Sequence, residues 1–344
     1  MHGEGFLAIY AGVNLSPVEL VGFIRLSGLD DVPATLKGAV VAIGNFDGFH
    51  RGHQHVFARL RTRARQLGRP AVVLTFEPHP RDVFAPQPFM FRLTTADAKA
   101  RLAEALGLDG LVLMPFDRPF SQIEAEDFVG RFLVEALAAT GVIIGADFHF
   151  GRNRRGTPDF LRAALEGRGC LVDILDLVAD GDEPISSSRI RDALGDGRVD
   201  EANRLLGYHW FIEGEVVHGD HRGRELGFPT ANIASATGFD LAQGIYAVRG
   251  LVRGRLVDGV ASYGKPMFDN QRPPFEPHFL DFDQDIYGEH ISVAIIAHIR
   301  GQRVFSGLDE LSRAIAGDRE VARRVLATAR PLGELDRKLG FFAQ

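Results

Sequence analysis

The chain has 344 residues, 45% of them hydrophobic and 24% charged, which predicts a globular protein of about two domains. The net charge of −6 argues against broad binding to nucleic acid, and no apolar run reaches the ~18 residues of a membrane span, so we expect neither nucleic acid nor a membrane as a partner. The single cysteine, Cys170, excludes an internal disulfide and a cysteine-based zinc cluster, and it fits a reducing cytoplasm.

The amino-terminal segment differs from the rest of the chain. Residues 1–18 carry Glu4 early and have no basic region, so they are untypical of a signal peptide. We interpret them as an extension, poorly ordered, ahead of a first domain at 19–204 and a second at 205–344.

Short apolar segments alternate with amphipathic ones in the first domain, which is typical of a parallel sheet covered by helices. Strands are predicted at 38–46, 70–76, 110–116 and 141–148. Helices are predicted at 51–68, 94–107 and 124–140. In such a Rossmann-like sheet, ligands bind beyond the carboxyl ends of the strands.

The stretch GNFDGFHRGH, residues 44–53, joins the first predicted strand to the first helix. Its glycines allow a tight turn, and the helix amino terminus favours an anion. His50 and His53 lie about one helical turn apart, so both can face that anion. A zinc site and a purely structural turn remain alternatives, although the usual helical zinc pair is spaced i, i+4.

After residue 186 the pattern changes to two short helices and then to β-like segments separated by glycine-containing turns. Strands are predicted within 210–219, 244–264, 279–282 and 290–300, and a helix at 307–330. This order predicts an antiparallel barrel or sandwich with a carboxyl-terminal helix.

Five segments in chain order resemble the prokaryotic bifunctional riboflavin kinase/FMN adenylyltransferases, also called FAD synthetases. They are GNFDGFHRGH (44–53), TFEPHP (75–80), GADFHFGRNRRG (145–156), ISSSRIRDAL (185–194) and VVHGDHRGRELGFPTANI (216–233). The resemblance implies a nucleotidyltransferase domain of the HxGH type followed by a riboflavin-kinase barrel. The implied substrates and products are riboflavin, FMN, FAD and ATP, with Mg²⁺ as the metal.

In the first domain, the resemblance implies that the phosphate of FMN attacks the α-phosphorus of ATP. His50, His53 and Arg191 would then act on the phosphates as catalytic residues. The other implied ATP- or flavin-binding residues are Gly44, Asn45, Phe46, Asp47, Gly52, Pro78, Asp147, Phe150, Arg154, Ser187 and Ser188. From the residues alone, Ser187 and Ser188 fit a helix cap equally well, and Phe150 fits a packing role.

In the second domain, the resemblance implies a glycine-rich phosphate loop with Gly219, Gly223 and Gly227. Thr230 and Asn232 would bind Mg²⁺ through neutral oxygens, and Glu276 would accept the proton of the riboflavin hydroxyl. The run GKPMF, residues 264–268, has Met267 where the family usually has Thr, and Pro277 follows the glutamate.

These departures leave three hypotheses open. The chain is a bifunctional enzyme, an adenylyltransferase with a weakened kinase, or a flavin-binding regulatory or carrier protein. The presence of His50, His53, Thr230, Asn232 and Glu276 argues against the last hypothesis. The sequence does not predict the oligomeric state.

Overall fold

The computed structural model describes residues 22–85, 90–217, 231–234, 240–264 and 275–343. The first domain contains a sheet in which every neighbouring pair is parallel, in the order β1-β4-β3-β2-β5-β6. Its strands are β1 Ile24–Ser27, β2 Val40–Ile43, β3 Ala71–Glu77, β4 Gly110–Pro115, β5 Gly141–Gly145 and β6 Leu171–Leu175.

Helices cover this sheet, as the alternating pattern predicts. They are α1 Arg51–Leu67, α2 Pro80–Phe84, α3 Ala96–Ala105, α4 Ala125–Asp127 with a following π-helix Phe128–Ala136, α5 Pro158–Glu166, α6 Ser187–Gly195 and α7 Val199–Leu206. Short 3-10 turns occupy Ala34–Leu36, Phe120–Gln122 and Arg152–Arg154, and a small hairpin joins β7 Ala179–Asp180 to β8 Glu183–Pro184.

Helix α1 shows why the local sequence adopts its fold. Its helically spaced apolar side chains, among them Phe57 and Leu60, are buried against the sheet. The helix ends at Gly68, whose left-handed conformation (φ 62°) is favourable for glycine.

The second domain is an antiparallel sheet in the order β10-β9-β14-β11-β12-β13. Its strands are β9 Phe211–Val217, β10 Asn232–Ala234, β11 Gly244–Val252, β12 Arg255–Tyr263, β13 Phe275–Phe279 and β14 His290–Gly301. The edge strands approach each other, and Ala231 N donates a hydrogen bond to Pro277 O at 2.9 Å, so the sheet is a nearly closed barrel. Helix α8 Leu308–Thr328 packs on β11, β12 and β14, and α9 Glu334–Lys338 follows it.

The strand predictions need correction at several points. Of the predicted segment 279–282 only Phe279 lies in a strand, because β13 occupies Phe275–Phe279, with Pro277 tolerated at the barrel edge. The short strands β7, β8 and β10 were not predicted. Strands β1 and β6 were not predicted either. They lie at the two sheet edges, where their side chains are only partly buried and the apolar signal is weaker.

The two domains share one continuous apolar core. Phe49 and Phe57 of the first domain belong to the same buried cluster as Tyr208 and Trp210, which precede β9. Arg101 on α3 also crosses between the domains, where it contacts Glu213 of β9. Within the described ranges, no helix combines the length and the apolar character that a membrane crossing requires.

Candidate active sites

The loop 44–50 leaves the carboxyl end of β2, whose neighbours are β3 and β5. The chain proceeds from β2 through β3 to β4 on one side and then returns to β5 on the other. The loop therefore lies at a topological switch point, where open parallel sheets bind ligands.

The loop has a strained and tightly packed backbone. Gly48 has φ 83°, and both Phe46 (φ 40°) and Phe49 (φ 41°) adopt positive φ values that are unusual for aromatic residues. The Phe46 ring folds back over Gly44, where a Cβ atom would lie 2.9 Å from it, and meets the His53 ring edge-on at 5.1 Å. Such strain in a loop at a switch point fits a functional site.

His50 and His53 form a stacked pair. Their ring centroids are 3.6 Å apart with an interplanar angle of 20°, and His50 Nδ1 accepts a hydrogen bond from His53 N at 3.4 Å. A Cβ atom on Gly52 would lie 3.1 Å from the His50 ring, so glycine at this position leaves room for the stack. The buried Nδ1 atom of His53 has no hydrogen-bond partner among the described residues.

The histidine pair is held neutral. Burial lowers the pKa of His50 to about 4, although the charge of Asp47 opposes this shift. Burial, the neighbouring His50 and then Lys99 hold the pKa of His53 well below its ordinary value. A neutral His50 whose Nδ1 accepts a hydrogen bond carries its proton on Nε2, which can donate to a ligand.

Asp47 fixes the centre of the loop. Its carboxylate accepts hydrogen bonds from Leu93 N (3.1 Å), Thr94 N (3.0 Å) and Thr94 Oγ1 (3.0 Å), and it forms an ion pair with Arg191. Burial would raise the pKa of Asp47, but Arg191, Lys99 and the backbone N–H groups outweigh burial and lower it.

Arg191 reaches the site from α6. Its Nη2 donates to Asp47, and its Nε donates to the carbonyl oxygen of Phe91. The guanidinium is therefore engaged within the protein, and its contact with phosphate stays a prediction.

The residues that lead into α6 approach the first turn of α1, where a Cβ atom on Gly52 would lie 3.7 Å from Ile185 O. Ser186 caps α6 by accepting a hydrogen bond from Arg189 N at 3.2 Å. Ser187 Oγ donates to Asp47 O at 2.9 Å, which ties α6 to the loop 44–50, whereas Ser188 is exposed. The helix cap of α6 is thus Ser186 and not Ser187 or Ser188, the two serines considered from the sequence.

The end of β3 forms one side of the site. Asn45 is exposed, and its carbonyl oxygen accepts a hydrogen bond from Thr75 Oγ1 at 2.8 Å. Pro78 is also exposed. Burial lowers the pKa of the next residue, His79, to about 4.

The three site residues predicted in the loop after β5 differ in their exposure. Phe150 is buried and packs on Phe128 at a centroid distance of 5.1 Å, so its position favours the packing role. Asp147 and Arg154 are exposed on the loop beyond the strand. Their contacts with ligand stay predictions.

In the barrel, Glu276 lies on β13 opposite Ser262, whose Oγ is 3.4 Å from Glu276 Oε2. The strand order makes β10 antiparallel to β13, and hydrogen-bonded residues in antiparallel strands are directly opposite. Because Ala231 N bonds to Pro277 O, the start of β10, which carries Asn232, adjoins the part of β13 that carries Glu276.

Pro277 does not interrupt the ladder with β12. The N and O atoms of one strand residue point to the same side, and the carbonyl of Pro277 bonds to Ala231 on β10. The missing N–H of Pro277 therefore faces β10, at the join of the barrel.

Several predicted kinase residues lie outside the described residues, namely Gly219, Gly223, Gly227, Thr230 and Met267. Among the residues that the structure does describe, no group of three or more His, Cys, Asp or Glu side chains could hold a metal ion.

Sequence reasoning missed Lys99. This buried residue lies on α3, 3.3 Å from Glu77 Oε2, and burial lowers its pKa to about 8. The available signal was a lysine on the apolar face of α3, one turn before Leu102 and next to Ala98. It supplies positive charge that stabilises ionised Asp47.

Comparisons with known proteins agree with this two-site geometry. The family model described as FAD synthetase matches residues 32–189, and the one described as riboflavin kinase matches residues 206–326. A bifunctional riboflavin kinase/FMN adenylyltransferase of Escherichia coli (strain K12) is 38% identical over 302 residues, covering 87% of this chain and 96% of its own length. One from Bacillus subtilis (strain 168) is 35% identical, with 85% and 94% covered.

A solved structure extends the agreement to three dimensions. A crystal structure described as a macrolide-efflux protein from Streptococcus pneumoniae is 32% identical, with a TM-score of 0.77, and covers 88% of this chain and 99% of that one. The chain belongs to the family of bifunctional riboflavin kinase/FMN adenylyltransferases.

Proposed function

We propose that the chain makes FAD in two steps, each at its own site. The barrel transfers the γ-phosphoryl group of ATP to riboflavin and yields FMN. The first domain then transfers the adenylyl group of a second ATP to FMN and yields FAD and pyrophosphate. The observation that carries this proposal is the convergence of His50, His53, Asp47 and Arg191 at one sheet edge, with Glu276 in a separate barrel.

In the adenylyl-transfer step, an oxygen of the FMN phosphate attacks the α-phosphorus of ATP, and the bond to pyrophosphate breaks. The attacking phosphate is already anionic, so positioning and charge stabilisation supply most of the rate. The Nε2–H of His50 and the first-turn amides of α1 are donors suited to the phosphate oxygens.

The low pKa of the histidine pair gives it a means to respond to substrate. Burial keeps both rings neutral before phosphate arrives, and two cationic imidazoles stacked at 3.6 Å would also repel each other. A phosphate anion stabilises the protonated form and raises the pKa of the nearer ring. That ring can then hold a positive charge against the negative charge that develops on the leaving pyrophosphate.

In the kinase step, Glu276 accepts the proton of the riboflavin hydroxyl as its oxygen attacks the γ-phosphorus, and ADP leaves. Asn232 follows Ala231, which bonds to the residue after Glu276, and this closeness supports its prediction as a Mg²⁺ ligand, because its side-chain oxygen is of the type that Mg²⁺ prefers. Mg²⁺ would neutralise phosphate charge there, with Thr230 as the second predicted ligand.

The geometry weakens the case for an impaired kinase. Pro277 lies where its missing N–H removes no hydrogen bond between β12 and β13, and Glu276 keeps its place opposite Ser262. We therefore prefer the bifunctional enzyme to an adenylyltransferase with a weakened kinase or to a flavin carrier.

Two further parts of the proposal concern the whole chain. We keep the domain boundary at 204/205, which falls within α7, between the two family-model matches. We also expect the enzyme to act in the cytoplasm on small-molecule substrates, since its one cysteine, Cys170, is buried as a free thiol.

A direct experiment tests the proposal. The purified protein is incubated with ATP, Mg²⁺ and either riboflavin or FMN, and the flavins are resolved by chromatography. We expect FMN and then FAD from riboflavin, and FAD from FMN. FAD from FMN without any FMN from riboflavin would restore the weakened-kinase hypothesis, and no product from either substrate would favour the carrier.

A further inference from the structure

The segment that enters the barrel also holds the adenylyl-transfer loop. The hydroxyl of Tyr208 donates a hydrogen bond to Gly48 O at 2.8 Å, and Tyr208 is fully buried. On the other side of the same residue, Gly48 N donates to Thr94 Oγ1 at 3.0 Å. The turn glycine at φ 83° is thus fixed from both sides, once by Thr94 of the first domain and once by Tyr208, three residues before the start of β9.

Trp210 makes a second connection of this kind. Its indole Nε1 donates to Leu93 O at 2.8 Å, and Leu93 N donates in turn to Asp47 Oδ2 at 3.1 Å. Trp210 N is itself held by Asn203 Oδ1 at 2.8 Å. A short chain of buried hydrogen bonds therefore leads from the start of the barrel to the carboxylate that pairs with Arg191.

A third bridge joins the same segments. Gln54 Nε2 on α1 donates both to Phe49 O at 2.8 Å and to Leu206 O at 2.7 Å. The loop 44–50 and the segment 206–210 are thus joined directly by the Tyr208–Gly48 bond and indirectly through Leu93 and Gln54, within an apolar core where an unpaired polar group is costly.

We propose that Tyr208 and Trp210, which lie in the part of the chain that matches the riboflavin kinase model, are positioning residues for adenylyl transfer to FMN. This inference rests on the function proposed above. Neither side chain needs to touch substrate. Each holds the backbone that carries His50 and Asp47, so the barrel completes the site of the other domain.

The chemistry of the donors fits this role. Burial raises the pKa of Tyr208 well above its ordinary value, so the hydroxyl keeps its proton and donates throughout the neutral range. The indole N–H of Trp210 is a donor only and does not titrate. Both hydrogen bonds are therefore permanent supports for a loop whose phenylalanines have strained φ values.

Tyr208→Phe is the test variant, because it removes one hydroxyl and leaves the buried ring in place. Tyr246→Phe is the matched control, since Tyr246 is also fully buried and donates its hydroxyl to a backbone carbonyl, that of Ala242, inside the barrel. We expect Tyr208→Phe to lower kcat for FAD formation from FMN by about tenfold or more and to leave FMN formation from riboflavin unchanged. The control should keep both rates.

A readout independent of turnover separates positioning from a loss of fold. In the full-length wild type, the imidazole proton signals of His50 should not titrate above about pH 5, given its pKa of about 4. In Tyr208→Phe the released loop should become more solvated, and the titration midpoint of His50 should move toward its ordinary value. In Tyr246→Phe it should not move.

Three results would overturn the inference. They are a Tyr208→Phe enzyme with unchanged FAD formation, equal losses of both activities, or an unchanged titration of His50. If Tyr208→Phe does not fold, Trp210→Phe, which also removes one donor, is measured in its place with the same expectations. A wild type that makes no FAD from FMN would contradict the proposed function, and the His50 titration would still decide whether Tyr208 positions the loop.

Discussion

His50 Nδ1 accepts a hydrogen bond from the backbone N–H of His53, and the two imidazole rings stack with centroids 3.6 Å apart. This relationship fixes the tautomer of neutral His50 and leaves its Nε2–H as a hydrogen-bond donor. It also makes protonation of either ring unfavourable until an anion binds. The first prediction follows from that electrostatic cost.

Acid should destabilise the protein through His50. The pKa of His50 is 6.5 in an ordinary setting and about 4 in the folded protein, so the unfolded state binds more protons between these values. The stabilising contribution is therefore complete above about pH 6.5 and is lost as the pH falls toward 4. We expect His50 to contribute roughly 2 kcal/mol to the loss in the free energy of unfolding between pH 7.5 and 5, taken as the difference between wild type and His50→Gln in urea denaturation.

The control for this prediction is a pair of variants on the same helix. His50→Gln should lose less stability over this pH range than the wild type does, because glutamine does not titrate. His55→Gln, at an exposed position on α1, should follow the wild type. Identical pH dependence in wild type and His50→Gln would show that His50 is not held neutral by the fold.

Asp47→Asn should be strongly destabilising. The buried carboxylate of Asp47 accepts three hydrogen bonds from Leu93 and Thr94 and pairs with Arg191. The side-chain NH₂ group of an asparagine would replace one of the accepting oxygens and would face these donors without an acceptor. We expect a loss of about 3–5 kcal/mol in the free energy of unfolding, measured in urea at neutral pH.

The matched control is Asp159→Asn. Asp159 forms an ion pair with Arg162, and its side chain is 92% exposed. This variant should lie within about 0.5 kcal/mol of the wild type. Equal effects at Asp47 and Asp159 would contradict the assignment of Asp47 as the anchor of the loop.

Arg101 should couple the stabilities of the two domains. From α3 it donates to Glu213 Oε1 (2.6 Å) and Ser292 Oγ (2.7 Å) of the barrel, and it lies over the Phe211 and Phe341 rings at 5.2 and 5.1 Å. Arg101→Met leaves the buried carboxylate of Glu213 without its cation and should cost about 3 kcal/mol in the free energy of unfolding.

A double-mutant cycle tests this coupling by urea denaturation. Arg101→Met with Glu213→Gln should be less destabilised than the sum of the single variants, because no unpaired charge remains. Arg25→Met, at an exposed pair with Asp97, serves as the control and should have little effect. Strict additivity of the two changes would show that the contact carries no coupling.

Pro277→Val should leave the kinase rate nearly unchanged. The N–H that valine adds faces β10 rather than β12, so the position of Glu276 opposite Ser262 is kept. We expect riboflavin phosphorylation within about twofold of the wild-type rate, measured by chromatography of FMN. A large gain in rate would instead show that Pro277 impairs the kinase, as the weakened-kinase hypothesis holds.

Sequence patterns predicted the central parts of the fold because those parts have strong physical signals. Strands β2, β3, β4 and β5 are continuous apolar runs, and α1 has regular helical spacing. The edge strand β6 has only half-buried side chains. In β13, Pro277 argued against a strand, because proline has no N–H to donate to a neighbouring strand. Whether that N–H would have faced a neighbouring strand depends on the tertiary structure, which the sequence does not show.

The sites, too, depend on tertiary contacts that local sequence does not encode. The spacing of His50 and His53 predicted that both could face one anion, but their stacking and neutrality depend on burial by distant segments. Tyr208 and Gly48 are 160 residues apart, and local sequence carries no signal for their hydrogen bond. Lys99 did carry a signal, as a charge on an apolar helix face, because burial of a lysine requires a partner.

The most direct test of two independent sites measures both activities in two variants of the full chain. His53→Ala should abolish FAD formation from FMN and leave FMN formation from riboflavin at the wild-type rate. Glu276→Gln should do the reverse, since it keeps the shape of the side chain and removes the proton acceptor. If either change removed both activities in a folded protein, the assignment of one step to each domain would be wrong.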